Sequence, residues 1–214
     1  MKKILYVYAH PNPDSFNHAL QQHGVAYLKQ QGIELKSSNL YEMKFNPVAS
    51  WEDFGQDSQS QQQYFLAQQT AFQSNTLSKD IEEELQKVIW ADHILLQFPL
   101  WWFSMPAILK GWFDRVLVKG FAYDAGKVFD LGLLEGKTAS LVLSTQSPES
   151  AYRSNDLHSA SMDSFLHPIH HTLKFVGIKP LSSFVSYGVF HIETSRQSEL
   201  FRLYQTYLQS LLHN

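Results

Sequence analysis

Apolar runs of strand length alternate along this chain with stretches of helical period. Residues 4–9 are apolar without interruption, the pattern of a strand covered on both faces, and a helix is expected over about 17–30, closed by Gly32. A weaker strand follows at 33–40. Ser78 then opens a helix whose apolar positions Ile81, Leu85, Val88 and Ile89 share one face, with Asp80, Glu82, Glu83 and Glu84 near its positive end. Residues 93–98 read as a third buried strand. Beyond it Ile108, Leu109, Trp112, Phe113, Val116 and Leu117 form a helical face between Pro106 and Gly120. A fourth strand is expected at 138–145, a helix at about 168–176 ending on Gly177, and a fifth strand at 181–187. The last helix starts at a capping box, Thr194 to Gln197, and turns Leu200, Tyr204, Tyr207, Leu208 and Leu211 inward. Five strands alternating with five helices imply a doubly wound α/β fold, a parallel sheet with helices on both faces, because parallel strands need crossover connections.

In such sheets ligands bind beyond the carboxyl ends of the strands, where the winding reverses. The loops that should carry function are therefore 10–17, 99–104 and 145–158. Residues 41–77 break the rhythm, being long and rich in glutamine: Gln56, Gln59, Gln61, Gln62, Gln63, Gln68, Gln69 and Gln73. This segment is expected to be a surface insertion on a single 214-residue domain, of the kind that serves as a lid or interface arm.

Composition narrows the chemistry. Seventeen Lys and Arg against twenty Asp and Glu leave a net charge of −3 with no basic tract, which argues against a nucleic-acid partner. The chain has no cysteine, so disulfides, thiolate metal sites and a cysteine nucleophile are excluded. Nothing near Met1 has the form of a secretory signal, and the apolar stretch 93–109, interrupted by Pro99 and Pro106, is shorter than the roughly 20 residues of a membrane helix, so a cytoplasmic location is expected. His167, His170 and His171 fall at helical spacing, but with no thiol or carboxylate in ligand register they do not argue for a metal.

The first loop lacks the glycine fingerprints of dinucleotide and phosphate loops, which disfavours NTP hydrolysis and conventional NAD docking. It does put Ser15 and Asn17 where a helix begins, so that hydroxyl, amide and unpaired backbone N–H groups converge at the positive end of a helix dipole. Read alone, Ser15 is an N-cap and His10 a turn residue. Pro99-Leu100-Trp101-Trp102-Phe103-Ser104 places three aromatics at a strand's carboxyl end, where they suit a planar heterocycle or an interface. The fourth loop carries Thr145, Gln146, Ser147 and Tyr152, with His158 six residues beyond Tyr152.

At this point the motifs resemble a known family. Residues 98–116, Phe-Pro-Leu-Trp-Trp-Phe-Ser-Met-Pro-Ala-Ile-Leu-Lys-Gly-Trp-Phe-Asp-Arg-Val, followed by Gly120-Phe121-Ala122-Tyr123, are similar to the central block of NAD(P)H:quinone reductases of the DT-diaphorase type. Ala9-His10, Ser15-Phe16-Asn17, Leu40-Tyr41 and Phe45-Asn46-Pro47 resemble the same family's N-terminal region. The resemblance implies a flavodoxin-like homodimer with one flavin per subunit, reduced by hydride from NADH or NADPH and reoxidised by a quinone in ping-pong fashion. It casts His10, Ser15, Phe16 and Asn17 as phosphate and ribityl contacts, and Pro99, Leu100, Trp101, Trp102 and Phe103 as the isoalloxazine wall. Thr145, Gln146 and Ser147 complete the cofactor loop, and Gln63 resembles a residue that reaches the adenine half of FAD. Tyr152 and His158 would stabilise charge on the reduced flavin. Trp102, Phe103, Tyr123, His158 and Phe175 would line the substrate pocket, Tyr123 from the partner subunit. One departure stands out: where the family usually has Gly-Gly after Thr145, this chain has Gln146-Ser147. FAD is the expected flavin because 41–77 resembles the FAD-binding members, with FMN as the alternative. Competing readings are an FMN-dependent azo or nitro reductase, a flavodoxin-like electron carrier, and a regulatory ancillary subunit of a potassium-efflux transporter.

Overall fold

The computed structural model describes residues 3–55, 63–153, 155–190 and 192–212. Gln56, Gln59, Gln61 and Gln62 lie outside the described residues. Among the described residues six strands and six α-helices follow one another as β1 (Lys3–Tyr8), α1 (Phe16–Gln30), β2 (Glu34–Asn39), α2 (Tyr64–Ser74), α3 (Lys79–Trp90), β3 (His93–Pro99), α4 (Ala107–Val116), β4 (Thr138–Ser144), α5 (Met162–Phe175), β5 (Lys179–Pro180), β6 (Phe184–Ser186) and α6 (Thr194–Leu212). All strand pairs are parallel, in the order β2-β1-β3-β4-β5, with β6 also beside β4. This is the flavodoxin-like order, and the winding reverses between β1 and β3.

Alternation within the apolar runs explains the two layers. Leu5, Val7, Ile94, Leu96, Leu141 and Leu143 pack on one face with residues of α3, α4 and α5. Ile4, Tyr6, Tyr8, Leu95 and Val142 pack on the other against Leu20, Leu28, Tyr204, Leu208 and Leu211 of α1 and α6. A side-chain period of two sends neighbouring residues to opposite faces, so a strand buried on both must be apolar throughout. Helix α1 ends as its sequence requires: Gly32 takes φ +70°, the left-handed turn that an L side chain resists, and the Ile33 N–H reaches back to the Leu28 carbonyl at 3.1 Å.

Four expectations need correction. The Gln-rich segment is not simply a surface insertion, because α2 buries Ala67, Gln68 and Ala71 and stops on Asn75 at φ +55°. Its Gln69 bridges the Asp124 carboxylate at 2.9 Å and the Lys119 ammonium at 2.9 Å, so the glutamines here join elements together. Helix α5 begins six residues before Pro168, capped by Ser161, whose Oγ accepts from the Ser164 N–H at 3.2 Å. Met162, Leu166, Ile169 and Leu173 bury one continuous stripe, and that burial outweighs the hydrogen bond lost at proline. The fifth strand is two short pieces, since Pro180 offers no N–H to the ladder and edge positions tolerate such a break. At the last helix Gln197 N–H already pairs with the Glu193 carbonyl at 2.9 Å, so Thr194 stands inside the first turn and is not the cap.

Candidate active site

The carboxyl ends of β1, β3 and β4 diverge around a cleft of about 1050 Å³. One end is built by the turn before α1. There the Asn12 carbonyl accepts from Ser15 Oγ at 2.8 Å, and Ser15 Oγ caps the helix by accepting from the His18 N–H at 3.1 Å. The first-turn N–H groups of Phe16 and Asn17 have no intrahelical partner and lie at the cleft rim. Burial lowers the pKa of the His10 imidazole, which accepts from the Asn12 N–H at 3.1 Å, and burial pushes the nearby Tyr8 phenol up to about 12. Both rings are therefore neutral at pH 7. No Lys or Arg is among the described lining residues, and the attraction for an anion at this end comes from the helix dipole and hydroxyl and amide donors.

Asn17 differs from its expected part in one respect. Its side chain is buried, donating to Ser144 Oγ at 2.8 Å and accepting from Gln97 Nε2 at 3.0 Å, which leaves its backbone N–H for a ligand. Gln97 in turn accepts from the Tyr6 hydroxyl, which lies 2.9 Å from the Tyr204 hydroxyl. A buried polar chain thus runs from α6 along the α1–α6 face of the sheet to the cleft floor. Periodicity hid it, because Tyr6 and Tyr204 read as ordinary core positions.

The aromatic wall is a tight turn. The Trp101 and Ser104 N–H groups each donate to the other's carbonyl at 3.0 Å, and the two central residues, Trp102 and Phe103, hold φ +49° and +61°. Left-handed backbone on bulky residues costs of order 1–3 kcal/mol each and gathers where function requires a fixed shape. Trp102 is 94% exposed, so burial does not repay that cost in the chain by itself. The Trp101 ring stands 5.7 Å from the His10 ring, and Phe103 meets His158 edge-on at 5.3 Å between centroids.

Beside it lies the loop after β4. The rings of Tyr152 and His158 lie together, centroids 4.7 Å apart, with the His158 backbone N–H on the Ala151 carbonyl at 3.1 Å. Each has a hydroxyl partner: the Tyr152 hydroxyl pairs with Thr145 Oγ1, and His158 Nε2 lies 3.0 Å from Ser147 Oγ. Thr145, Gln146, Ser147, Tyr152 and His158 all line the cleft, as do His10, Ser15, Phe16, Asn17, Pro99, Leu100, Trp101, Trp102 and Phe103. Gln63, Tyr123 and Phe175 do not. Gln63 precedes α2, while Tyr123 and Phe175 pack together at 5.6 Å with Phe129 against Phe175. Val189, Phe190 and Ile192 also line the cleft, and no motif marked them. They arrive there because the Val189 N–H bonds the Thr145 carbonyl at 3.1 Å and folds the chain after β6 over the loop.

Comparison with known proteins identifies the family. A family model described as flavodoxin-like fold matches residues 2–211. The mouse ribosyldihydronicotinamide dehydrogenase [quinone] is 43% identical over 88% of this chain and 82% of its own length. The guinea-pig NAD(P)H dehydrogenase [quinone] 1 is 36% identical over 99% and 78%. The chain belongs to this family of flavodoxin-like quinone dehydrogenases. In solved structures, a Klebsiella pneumoniae protein described as a quinone reductase superposes with a TM-score of 0.92 at 33% identity, covering 99% of this chain and 85% of that one. Family members are oxidoreductases, and this chain is one by descent.

Proposed function

We propose that the cleft holds a flavin, FAD in preference to FMN, and that the protein reduces quinones with NADH or NADPH by a ping-pong sequence. The observation that carries this reading is the meeting of the Trp101–Phe103 turn and the Tyr152–His158 pair at one cleft, with Phe103 and His158 in ring contact. The residues fit the group. A planar ring system needs flat apolar walls and an edge lined by donors, and a phosphate needs a helix N-terminus. At about 1050 Å³ the cleft reaches the upper end of ordinary ligand pockets, enough for a cofactor with a substrate beside it. Bound there, a flavin would accept a hydride from a reduced nicotinamide and pass one to a quinone.

The chain's own residues would do the rest. Ser15 Oγ and the Phe16 and Asn17 N–H groups would bind phosphate, and the strained turn would fix the ring plane. Tyr152 and His158 would aim hydrogen bonds at the edge where negative charge develops, which lowers a barrier when donors are positioned beforehand. Gln63 and Tyr123 lie off the cleft of their own chain, so their assigned contacts require a homodimer in which each subunit completes the other's site. Among the described residues no helix is long and apolar enough to cross a membrane. The test is initial-rate kinetics with a soluble quinone against NADH, NADPH and ribosyldihydronicotinamide. Parallel double-reciprocal lines are expected; intersecting lines would overturn ping-pong transfer, and absence of turnover with all three donors would overturn the activity.

A further inference from the structure

Ser147 stands where the resemblance implies glycine, and its hydroxyl lies 3.0 Å from His158 Nε2. Both partners are pinned through their backbones. The Ser147 carbonyl accepts from the Gly188 N–H at 3.0 Å, and the His158 N–H donates to the Ala151 carbonyl at 3.1 Å, so the loop itself sets the distance between the two side chains. The His158 ring is held between Tyr152 at 4.7 Å and Phe103 at 5.3 Å. Those ring contacts restrict tilt but do not distinguish the two nitrogens; only a directional polar partner does that.

We propose that Ser147 is a positioning residue that keeps His158 in one orientation and one tautomer, with Nε2–H donating to Ser147 Oγ. The serine proton is then left to point into the cleft. The inference rests on the reading of this loop as a donor to the ligand: a hydroxyl that donated to Nε2 would have no proton left to offer and would put the ring proton on Nδ1, whereas a hydroxyl that accepts from Nε2–H keeps its own proton and relays the histidine's donation toward the ligand edge. A glycine at this position makes no such contact, so the arrangement is particular to chains with a hydroxyl here.

The experiment is a long-range ¹H–¹⁵N spectrum of the histidine rings in the flavin-free protein, with the His158 signal assigned by its loss in His158→Gln. Wild type and Ser147→Thr should show a single tautomer protonated at Nε2, and Ser147→Ala a mixture. In the FAD-loaded protein, Ser147→Ala should accept hydride from NADH or NADPH about fivefold more slowly, as the loss of one hydrogen bond implies, with FAD affinity within about twofold and the rate restored by threonine. An unchanged His158 spectrum in Ser147→Ala would overturn the inference, as would a threonine variant that fails to restore the rate. If the tautomer shifts as expected while the wild type reduces no quinone, the Ser147–His158 contact stands and the proposed activity falls.

Discussion

Two polar clusters in this molecule, one of ion pairs and one of hydroxyl and ring hydrogen bonds, are turned to different ends. Around α4, Arg115 is 2% exposed and holds Asp53 Oδ1 at 2.7 Å and Asp80 Oδ2 at 2.5 Å, with the Asn46 carbonyl at 2.9 Å. Every one of those partners belongs to the protein, and together they tie the 46–53 stretch and the start of α3 to α4. The cluster after β4 is equally ordered, with the Tyr152 hydroxyl on Thr145 and His158 on Ser147, but all four residues line the cleft. A closed network specifies a fold, whereas an open one keeps hydrogen-bonding capacity for a ligand. Partner count does not separate the two; access to the cleft does.

The largest effect should come from breaking the closed cluster. Asp53→Ala leaves a buried guanidinium short of a partner and should cost about 3–5 kcal/mol, read as a fall in the urea midpoint. The double variant Asp53→Leu with Arg115→Met should regain most of that loss, since an apolar pair of similar volume replaces the charges. No recovery would mean that the cluster does more than hold the fold. In the open cluster the reverse holds: Tyr152→Phe and His158→Gln should leave stability close to wild type. Each should slow hydride uptake by FAD-loaded protein about tenfold to a hundredfold, with FAD affinity changed by less than about threefold. Unchanged stopped-flow rates would remove both from their assigned role.

A smaller effect should appear at Trp102. Trp102→Gly suits a φ of +49° and gives up little buried surface, so it should raise stability by about 1 kcal/mol while weakening flavin binding. A fall in melting temperature would show that the turn is not strained. The smallest concerns pH. Burial lowers the pKa of His10, His23 and His170 from 6.5, so the unfolded chain binds protons first and stability declines as pH falls below about 6.5. His23 stacks on Phe201 at 4.6 Å and does not itself line the cleft, and His23→Phe should flatten the acid-side slope of the melting temperature without touching activity.

What could be read from the sequence follows from how local each signal is. The continuous apolar runs at β1, β3 and β4 and the stripe of α4 depend on near neighbours alone, and they led to the doubly wound sheet and the loops around the cleft. The start of α5 was hidden because Pro168 dominates the local pattern, although Ser161 and the spacing of Met162, Leu166 and Ile169 mark it once burial is known. Helix α2 was hidden because glutamine is polar in composition yet long enough to bridge elements, as Gln69 does. The polar chain from Tyr204 through Tyr6 and Gln97 to Asn17 joins residues up to 198 positions apart, and no window along the chain sees it. Of the site residues, the loop members were legible from topology, while Val189, Phe190 and Ile192 enter only because β6 lies beside β4.

The most direct test of the central claim is the visible absorbance spectrum of the purified protein, with mass spectrometry of any ligand released by acid and titration with FAD and FMN where none is found. The account predicts a yellow protein that carries or takes up a flavin, FAD ahead of FMN. A colourless protein with no affinity for either would contradict it, leaving the fold without the proposed chemistry.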